Sequence, residues 1–547
     1  MKTALLSMLA LAALAAAVFP QAPQVAAPPV REVARGDLSV KLDQGLLHGI
    51  AGTRPGVRAY LGVPFAAPPV GDLRWKPPQP AASWQGVREA GEYSHACWQT
   101  PYPASAAIYQ SKLPPLSEDC LYLNVWTPAH SDKDALPVMV WIHGGGFTRG
   151  SANLSSYAGD VLAAKGAVVV TINYRLGVFG FFAHPALTAE SAHHASGNYA
   201  LLDQLAALEW VKKNIAKFGG DPNCVTIFGE SAGSWAVNIL MASPLARGLF
   251  QRAIGESGGS FDAMETLADA EKKGLALADA RGITQDPLKS LRAIPAEELL
   301  AASHADTAQA FVDGWVLPRD VYSIFAEGKQ NDVPLVAGSN ADEGTTLAPQ
   351  AALLKTGMFV AGAQQRYGAS AAEFLKLYPA DTPATTPTTT DDQAVQSFYA
   401  AFRDRVFGWQ MRTWVRLQAR TGHTPARLYY FTRRAPGPAA ARLGAFHALE
   451  IAYVFGNFAW PFPWEDADRQ LSDAITSYWV NFARTGDPNA SGLVPWPAYD
   501  PKKDELLELS DQIRVRAQVN KPGLDFFDAY NDSLRHPVEK PASGANR

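Results

Sequence analysis

The chain has 547 residues, of which 47% are hydrophobic and 18% are charged, a composition typical of a globular protein and not of a disordered chain. A formal net charge of −4 and a pI near 6.3 give no reason to expect a nucleic-acid partner. Length alone would predict about three or four domains of ordinary size.

The N-terminus is typical of a secretory signal peptide. A single lysine precedes an Ala/Leu-rich run from Thr3 to Val18, and Pro and small residues follow it. This run is shorter than the roughly 20 apolar residues that a membrane-spanning helix needs. We therefore predict a signal peptide over residues 1–27, a secreted or periplasmic protein, and no stable membrane anchor.

The chain contains three cysteines. In an exported protein Cys97 and Cys120 can form a disulfide. Cys224 then remains as a buried free thiol at the start of an apolar strand, and its neighbours in the sequence offer no cation to activate it.

From Leu121 onward, apolar runs alternate with segments of helical periodicity. The runs PVMVWIHGG, GAVVVTINYR and CVTIFGE are typical of strands that are buried on both faces. Between the last two, NYALLDQLAALEWVKKNIAKFG has apolar residues at helical spacing and ends at a glycine. Strands separated by helices predict an α/β fold, with a mostly parallel sheet and helices on both faces.

A glycine-rich segment follows the first of these strands. Residues 143–146 read His-Gly-Gly-Gly, and consecutive glycines allow backbone N–H groups to point at a developing oxyanion, as in lipases and esterases. A phosphate-binding loop is the alternative, but no G-K-[ST] pattern follows. His143 is expected to shape this turn.

Two serines lie in a G-x-S-x-G pattern, which places a reactive serine on a sharp turn from a strand into a helix. Ser231 follows the strand-like CVTIF, and helix-forming residues come directly after it. Around Ser257 only RAI resembles a strand, and two glycines, Ser260 and Asp262 delay any helix. The local sequence therefore favours Ser231 as the nucleophile.

The C-terminal half contains two segments without the pattern of packed elements. Residues 381–392 are rich in Pro and Thr, which predicts an exposed loop, with a linker as the alternative. Residues 536–547 lack apolar groups to bury and are predicted to be a disordered tail. Before that tail, the periodic stretch SDAITSYWVNFART predicts a helix that stops at Gly486.

Several long motifs in the same order resemble the type-B carboxylesterase and cholinesterase family of the α/β-hydrolase fold, and in particular its bacterial secreted members. The matching stretches are SEDCLYLNVWTP, WIHGGGF, GGDPNCVTIFGESAGS, GSNADEGT and FHALEIAYVFG. The resemblance extends from about Gly36 to beyond Tyr499. It implies an α/β-hydrolase fold with long loop insertions, in one catalytic domain over residues 36–535 instead of several domains.

The same resemblance implies the site residues. The family's serine, acid and histidine fall on Ser231, Glu343 and His447, in the order expected of α/β-hydrolases. The family's oxyanion-hole N–H donors fall on Gly145, Gly146 and Ala232. Its disulfide falls on Cys97 and Cys120.

Three further residues lie beside these positions. Glu230 either tunes the charge of the imidazolium or caps the turn. Ser257 is expected to hydrogen-bond to the acid or its surroundings. Asp342 adjoins Glu343 and is the competing candidate for the acid.

The resemblance implies a serine esterase that hydrolyses small-molecule carboxylic esters through an acyl-enzyme and needs no metal or cofactor. Specialisation for anionic or polycarboxylate esters, as in family members that act on mycotoxins, is one alternative. Arg433, Arg434 and Arg442 are then either carboxylate-binding groups or solvated loop charges. Gln110 occupies the place of a cholinesterase tryptophan, which argues against choline recognition.

Other activities remain open at this point. The same triad permits amidase or lipase activity. Some relatives keep the fold as non-catalytic binding modules but lose the serine, whereas this chain carries every expected site residue. The sequence leaves the physiological ester and the oligomeric state undecided.

Overall fold

The computed structural model describes residues 38–303, 308–380, 390–438 and 440–536. The predicted signal peptide, residues 381–389 of the Pro/Thr-rich stretch and the tail beyond His536 lie outside the described residues. All described residues belong to one compact unit of the chain.

Strands account for the centre of this unit. Their bounds are β1 Ser39–Lys41, β2 Leu46–His48, β3 Ile50–Ala51, β4 Arg58–Pro64, β5 Val87–Glu89, β6 Ala96–Cys97, β7 Leu116–Ser117, β8 Tyr122–Thr127, β9 Leu136–Ile142, β10 Val168–Ile172, β11 Gly220–Glu230, β12 Arg252–Glu256, β13 Leu335–Asn340, β14 Ala426–Phe431, β15 Glu505–Leu509 and β16 Arg514–Ala517.

Eleven of these strands form one sheet in the order β16-β15-β14-β13-β12-β11-β9-β10-β8-β4-β3. The strands from β15 to β10 in this order run parallel to one another. Antiparallel strands complete the sheet at both edges. Two small sheets, β1-β2-β5 and β6-β7, lie outside it in the described part of the chain.

Helices connect the strands. Their bounds are α1 Asp160–Ala164, α2 Gly177–Phe181, α3 Pro185–Glu190, α4 Tyr199–Asn214, α5 Ala232–Ala242, α6 Leu267–Ala280, α7 Pro287–Arg292, α8 Ala296–Ala302, α9 Val321–Ala326, α10 Gly344–Leu347, α11 Thr356–Tyr367, α12 Ala371–Leu377, α13 Thr390–Arg403, α14 Trp409–Thr421, α15 Ile451–Phe455, α16 Asp466–Thr485 and α17 Lys521–Arg535. A π-helical turn, Asp404–Gly408, joins α13 to α14.

Alternating side chains of the central strands enter two hydrophobic cores. In β9, Val138, Val140 and Ile142 belong to one core, together with residues of α4, α5 and α14. Met139 and Trp141, which point to the opposite face, belong to the other core with residues of α15 and α16. The prediction of a mostly parallel sheet with helices on both faces is therefore confirmed.

The cysteines occupy two different environments. Cys97 and Cys120 are joined by a disulfide, and Cys224 is free. The expectation that Cys224 is buried away from cations is wrong, because it is partly exposed and Nη1 of Arg252 donates to its Sγ at 3.2 Å. The sequence did not reveal this contact because the two residues lie on neighbouring strands, 28 positions apart.

Among the described residues, no helix combines the length and the apolar character that crossing a bilayer requires.

Candidate active site

Ser231 occupies a tight turn between a buried strand and a helix. Strand β11 ends at Glu230 and α5 begins at Ala232, so Ser231 is the only residue between them, with φ 55° and ψ −122°. Such a conformation costs a non-glycine residue about 1–3 kcal/mol and persists only where its surroundings enforce it. Ser231 is partly exposed, whereas most of the helix that follows it is buried.

The glycines of this turn are required by close packing. A Cβ on Gly233 would lie 1.9 Å from the carbonyl oxygen of Ile142, and one on Gly229 would lie 2.6 Å from the same oxygen. Both distances are far below van der Waals contact. The G-x-S-x-G spacing therefore lets α5 approach the end of β9.

Ser257 repeats this turn on the neighbouring strand. Strands β11 and β12 are paired in parallel with Glu230 opposite Glu256, so Ser257 follows its strand as Ser231 does. Its φ is also positive, 52°, but no helix begins before α6. The Ser257 side chain is fully buried, and its hydroxyl donates to Oε1 of Glu450 at 3.4 Å. The second pattern thus reproduces the backbone turn without exposing the serine.

The glycine-rich turn after β9 lies against Ser231. A Cβ on Gly144 would be 3.1 Å from Cβ of Ser231. Gly145 and Gly146 adopt φ values of 107° and 64°, which turn the chain sharply at this point. Across the described residues, the N–H groups of Gly145, Gly146 and Ala232 donate to no protein acceptor. Three backbone donors are thus left unpaired near the serine.

His143 fixes the start of this turn. Its ring stacks on Tyr174 with a centroid distance of 4.3 Å, and the Tyr174 hydroxyl donates to the His143 carbonyl at 2.6 Å. Its Nδ1 lies 2.8 Å from the carbonyl oxygen of Gly144, which fits an Nδ1–H donor. Burial lowers the pKa of His143 to about 4, so this imidazole is neutral at physiological pH.

A carboxylate and an imidazole from distant parts of the chain meet beside the turn. Nδ1 of His447 lies 2.6 Å from Oε2 of Glu343, and Oε1 of Glu343 accepts a hydrogen bond from the backbone N–H of Asn340 at 2.8 Å. Both side chains are buried. This contact favours the imidazole tautomer with the proton on Nδ1, which leaves Nε2 as the basic nitrogen.

Asp342, the competing acid, has a different role. Its Oδ2 accepts a hydrogen bond from the N–H of Ala445 at 2.8 Å. Asp342 therefore holds the loop that carries His447, whereas the carboxylate that contacts the imidazole is that of Glu343.

The Nε2 side of His447 faces the serine turn. Nε2 lies 3.0 Å from Oε1 of Glu230, the residue directly before Ser231. This distance is within the range of an ion pair, but the angles do not allow a hydrogen bond. Oε1 of Glu230 therefore has no hydrogen-bond partner in the described part of the protein. The Ser231 hydroxyl makes no hydrogen bond to any described residue either. The structure thus brings together the turn, the imidazole and Glu343.

Two aromatic residues that the sequence did not single out support His447. The Tyr109 hydroxyl donates to the His447 carbonyl at 2.9 Å and lies 2.6 Å from Oγ1 of Thr346. The Phe407 ring, from the π-helical turn, packs on the imidazole at a centroid distance of 4.9 Å. An aromatic next to Gln110 was visible in the sequence, but nothing indicated Phe407.

Three further buried carboxyls surround the site. Burial raises the pKa of Glu230 well above its usual value, and the charges of Glu343 and Glu256 raise it further. Burial likewise raises the pKa of Glu450, which accepts a hydrogen bond from Asn340. The pKa of Glu256 rises to about 8 through burial, although the indole N–H of Trp479 donates to it at 2.8 Å. Burial thus favours the uncharged form of each of these three groups.

The arginines before His447 differ in their surroundings. Arg433 forms ion pairs of 2.7 to 3.0 Å with three carboxylates, which are Asp468, Glu465 and Asp511. Arg434 is exposed, with Nε 4.0 Å from Oδ2 of Asp342, and Arg442 is also exposed. Arg433 is therefore a structural cation, and the other two are loop charges.

The described residues include no group of three His, Cys, Asp or Glu side chains that could hold a metal ion.

Comparisons with known proteins find similar chains over nearly the whole length of this one. The model of the carboxylesterase family matches residues 36–527. The chain is 36% identical over 499 residues to a fumonisin B1 esterase of Sphingopyxis macrogoltabida, covering 86% of each chain. It is 37% identical over 484 residues to a para-nitrobenzyl esterase of Bacillus subtilis, covering 85% of this chain and 93% of that protein.

A solved structure extends the likeness to the fold. A structure titled PNB esterase superposes with a TM-score of 0.76 at 34% identity, covering 90% of this chain and 100% of the other. The predicted α/β-hydrolase fold is confirmed, and the chain is a carboxylic ester hydrolase. The family model covers nearly the whole chain, the relatives exceed 30% identity and the fold is shared. This chain therefore belongs to the carboxylesterase family.

Proposed function

We propose that the protein hydrolyses small-molecule carboxylic esters with Ser231 as nucleophile, His447 as general base and Glu343 as the acid that orients His447. The observation that carries the proposal is the 2.6 Å contact between Glu343 and Nδ1 of His447, with Nε2 directed at the turn that contains Ser231. The strained conformation and partial exposure of Ser231 support its role as the reactive group.

In the proposed reaction, the Ser231 hydroxyl donates its proton to Nε2 as Oγ attacks the ester carbonyl carbon. The carbonyl oxygen becomes an oxyanion, which accepts hydrogen bonds from the N–H groups of Gly145, Gly146 and Ala232. The imidazolium then protonates the leaving alcohol. Water, deprotonated by the same nitrogen, hydrolyses the acyl-enzyme and releases the carboxylic acid.

Glu230 acts on the charge of His447 in this scheme. An ionised carboxylate 3.0 Å from Nε2 would hold the imidazole in its protonated form, which cannot act as a base. Because burial raises the pKa of Glu230, the neutral carboxyl is favoured and Nε2 remains available to Ser231.

The proposal includes one catalytic domain over residues 36–535, since the three residues are far apart in sequence and must converge in one fold. It also includes export to the periplasm or the medium. The disulfide between Cys97 and Cys120 supports this, because such bonds persist in oxidising compartments. N-terminal sequencing of the exported protein should find a start near residue 28.

Paired substitutions test the triad on a panel of esters that differ in acyl length. Ser231→Ala should abolish turnover, and Glu343→Gln should lower kcat about 10⁴-fold because the amide favours the wrong tautomer. Asp342→Asn is the matched control. It should keep kcat within about tenfold, since an amide oxygen can still accept the Ala445 N–H. Full activity of Ser231→Ala would refute the proposal.

A further inference from the structure

Arg149 lies at the end of the glycine-rich turn and is attached rigidly to it. Its backbone N–H donates to the carbonyl of Gly145 at 3.2 Å, and a Cβ on Gly145 would lie 3.1 Å from Cγ of Arg149. The next residue, Gly150, exchanges two 2.8 Å hydrogen bonds with the side-chain amide of Gln99. The position of the Arg149 backbone relative to Gly145 and Gly146 is therefore well fixed.

The guanidinium of Arg149 has only neutral partners. It donates to the hydroxyls of Thr148 and Thr100 at 3.2 and 3.5 Å and to the carbonyl of Pro101 at 3.4 Å. These are long hydrogen bonds, and the guanidinium also lies over the Tyr102 ring, 5.0 Å from its centroid. Within the described residues, Arg149 forms no ion pair although it is half-buried. A planar donor with five N–H groups thus lacks the carboxylate that it binds best.

Tyr102 connects this guanidinium to the residues around His447. Burial raises the pKa of the Tyr102 phenol to about 12, and the nearby guanidinium of Arg149 opposes this shift. The Tyr102 ring packs 5.7 Å from the ring of Tyr109, whose hydroxyl donates to the His447 carbonyl. Arg149 is therefore in contact with the glycine-rich turn through its backbone and, through Tyr102 and Tyr109, is connected to the loop of His447.

The other cations near the site do not share these properties. Arg433 is neutralised by three carboxylates, and Arg434 is 71% exposed beside Asp342. Arg149 is the cation of the described site that is both half-buried and without a carboxylate.

We propose that Arg149 determines specificity for esters that carry a second, free carboxylate, which its guanidinium binds while the ester carbonyl occupies the oxyanion turn. This inference rests on the proposed function, because it takes Ser231 and the N–H groups of Gly145 and Gly146 as the reaction centre. The free carboxylate belongs to either the acyl part or the alcohol part of the ester. The test distinguishes these two cases by using one pair of substrates for each. Arg149 positions the substrate and takes no part in bond making.

The test compares matched neutral and anionic esters. On the acyl side, the pair is p-nitrophenyl valerate and p-nitrophenyl hemiglutarate; on the alcohol side, it is ethyl butyrate and butyryl glycolate. Arg149→Gln should raise KM for the anionic member of one pair roughly tenfold or more, as expected for loss of a charge-assisted hydrogen bond. Its kcat/KM for each neutral ester should fall by a clearly smaller factor than that for the matched anionic ester. Arg149→Lys should retain part of the discrimination, and Arg434→Gln, the matched control, all of it.

A binding measurement separates this inference from the proposed function. Calorimetry should detect binding of glutarate to the Ser231→Ala protein. Binding to the double variant with Ser231→Ala and Arg149→Gln should be weaker. Turnover by Ser231→Ala alone would refute the proposed nucleophile, whereas the effect of Arg149 on glutarate binding would still stand. Equal losses on neutral and anionic esters in both Arg149 variants, or unchanged glutarate binding, would overturn the role of Arg149.

Discussion

Single buried carboxyls set the charge of this site. Glu230 and Glu256 lie opposite each other because the two G-E-S sequences end paired strands, so one motif repeated in sequence places two carboxyls side by side. Each is almost completely buried, and Oε2 of Glu256 has no partner among the described residues. Burial favours the neutral form of each carboxyl, and the charge of Glu256 adds to this effect at Glu230.

Glu256→Gln should change the pH dependence of stability. In the folded protein the pKa of Glu256 is about 8, above the ordinary value of 4.5, so between these values the folded state keeps a proton that the unfolded chain has released. Stability therefore falls as pH rises through this window, by up to about tenfold in the unfolding equilibrium per pH unit, and levels off above it. Glutamine can still accept the Trp479 indole N–H and does not ionise.

Thermal midpoints of wild type and Glu256→Gln, measured from pH 5 to 9, check this expectation. The midpoint of the variant should rise relative to that of the wild type as pH increases from 5 to 8. Because the charge of Glu256 also raises the pKa of Glu230 and Glu450, the difference reports Glu256 together with its effect on these two neighbours. Parallel curves would show that Glu256 does not bind a proton more tightly in the folded state.

At the scale of elements, the site depends on how closely helix α5 approaches strand β9. The contact is made by backbone atoms, so it cannot adjust as a side chain would. Gly233 and Gly229 both face the carbonyl of Ile142, at distances that leave no room for a methyl group. The close packing of α5 on β9 therefore also holds Ser231 in its strained conformation.

Gly233→Ala should destabilise the protein severely, because its Cβ would lie 1.9 Å from the carbonyl oxygen of Ile142 and only backbone movement could relieve the clash. Gly362→Ala is the matched control. Gly362 lies inside α11, where an added methyl group would have no atom within 4 Å, so the same change should stabilise that helix by about 0.5–1 kcal/mol. Thermal midpoints and soluble yield measure both effects, and equal midpoints for the two variants would contradict the packing argument.

Elements with strong local signals could be predicted from the sequence, and others could not. Strands β9, β10 and β11 are apolar on both faces because helices cover both sides, and this is visible as nearly continuous hydrophobic runs. Helix α16 ends where Gly486 adopts φ 81°, as its sequence indicates. The π-helical turn that carries Phe407 has no such signal in the local sequence.

For the molecule as a whole, family motifs located the candidate residues, but the contacts between them are tertiary. The 2.6 Å contact of Glu343 with His447 joins positions 104 apart, and Tyr109 reaches the His447 carbonyl over 338 positions. Periodicity and propensity describe neighbours in sequence, so they could not reveal Tyr109. They also could not separate Arg149 from the better-marked arginines before His447, because only the folded structure shows which cations are neutralised.

The disulfide connects the N-terminal part of this arrangement to the site. The loop between Cys97 and Cys120 contains Gln99, which binds Gly150 at the end of the glycine-rich turn, and Tyr109, which supports His447. Loosening this loop should therefore affect both the oxyanion donors and the imidazole. The free Cys224 contacts Arg252 at the other end of β11 and provides an internal control.

Replacing both Cys97 and Cys120 by Ser should lower the free energy of unfolding by about 3 kcal/mol, the loop-closure entropy expected for this separation. It should also lower kcat/KM for simple esters, because Gln99 and Tyr109 become less ordered. Cys224→Ser should leave both quantities close to wild type, since a hydroxyl can accept the Arg252 hydrogen bond in place of sulfur. Thermal melts and ester hydrolysis rates on the two proteins check this. If the double variant lost stability but kept full kcat/KM, the loop would stabilise the fold without ordering the site.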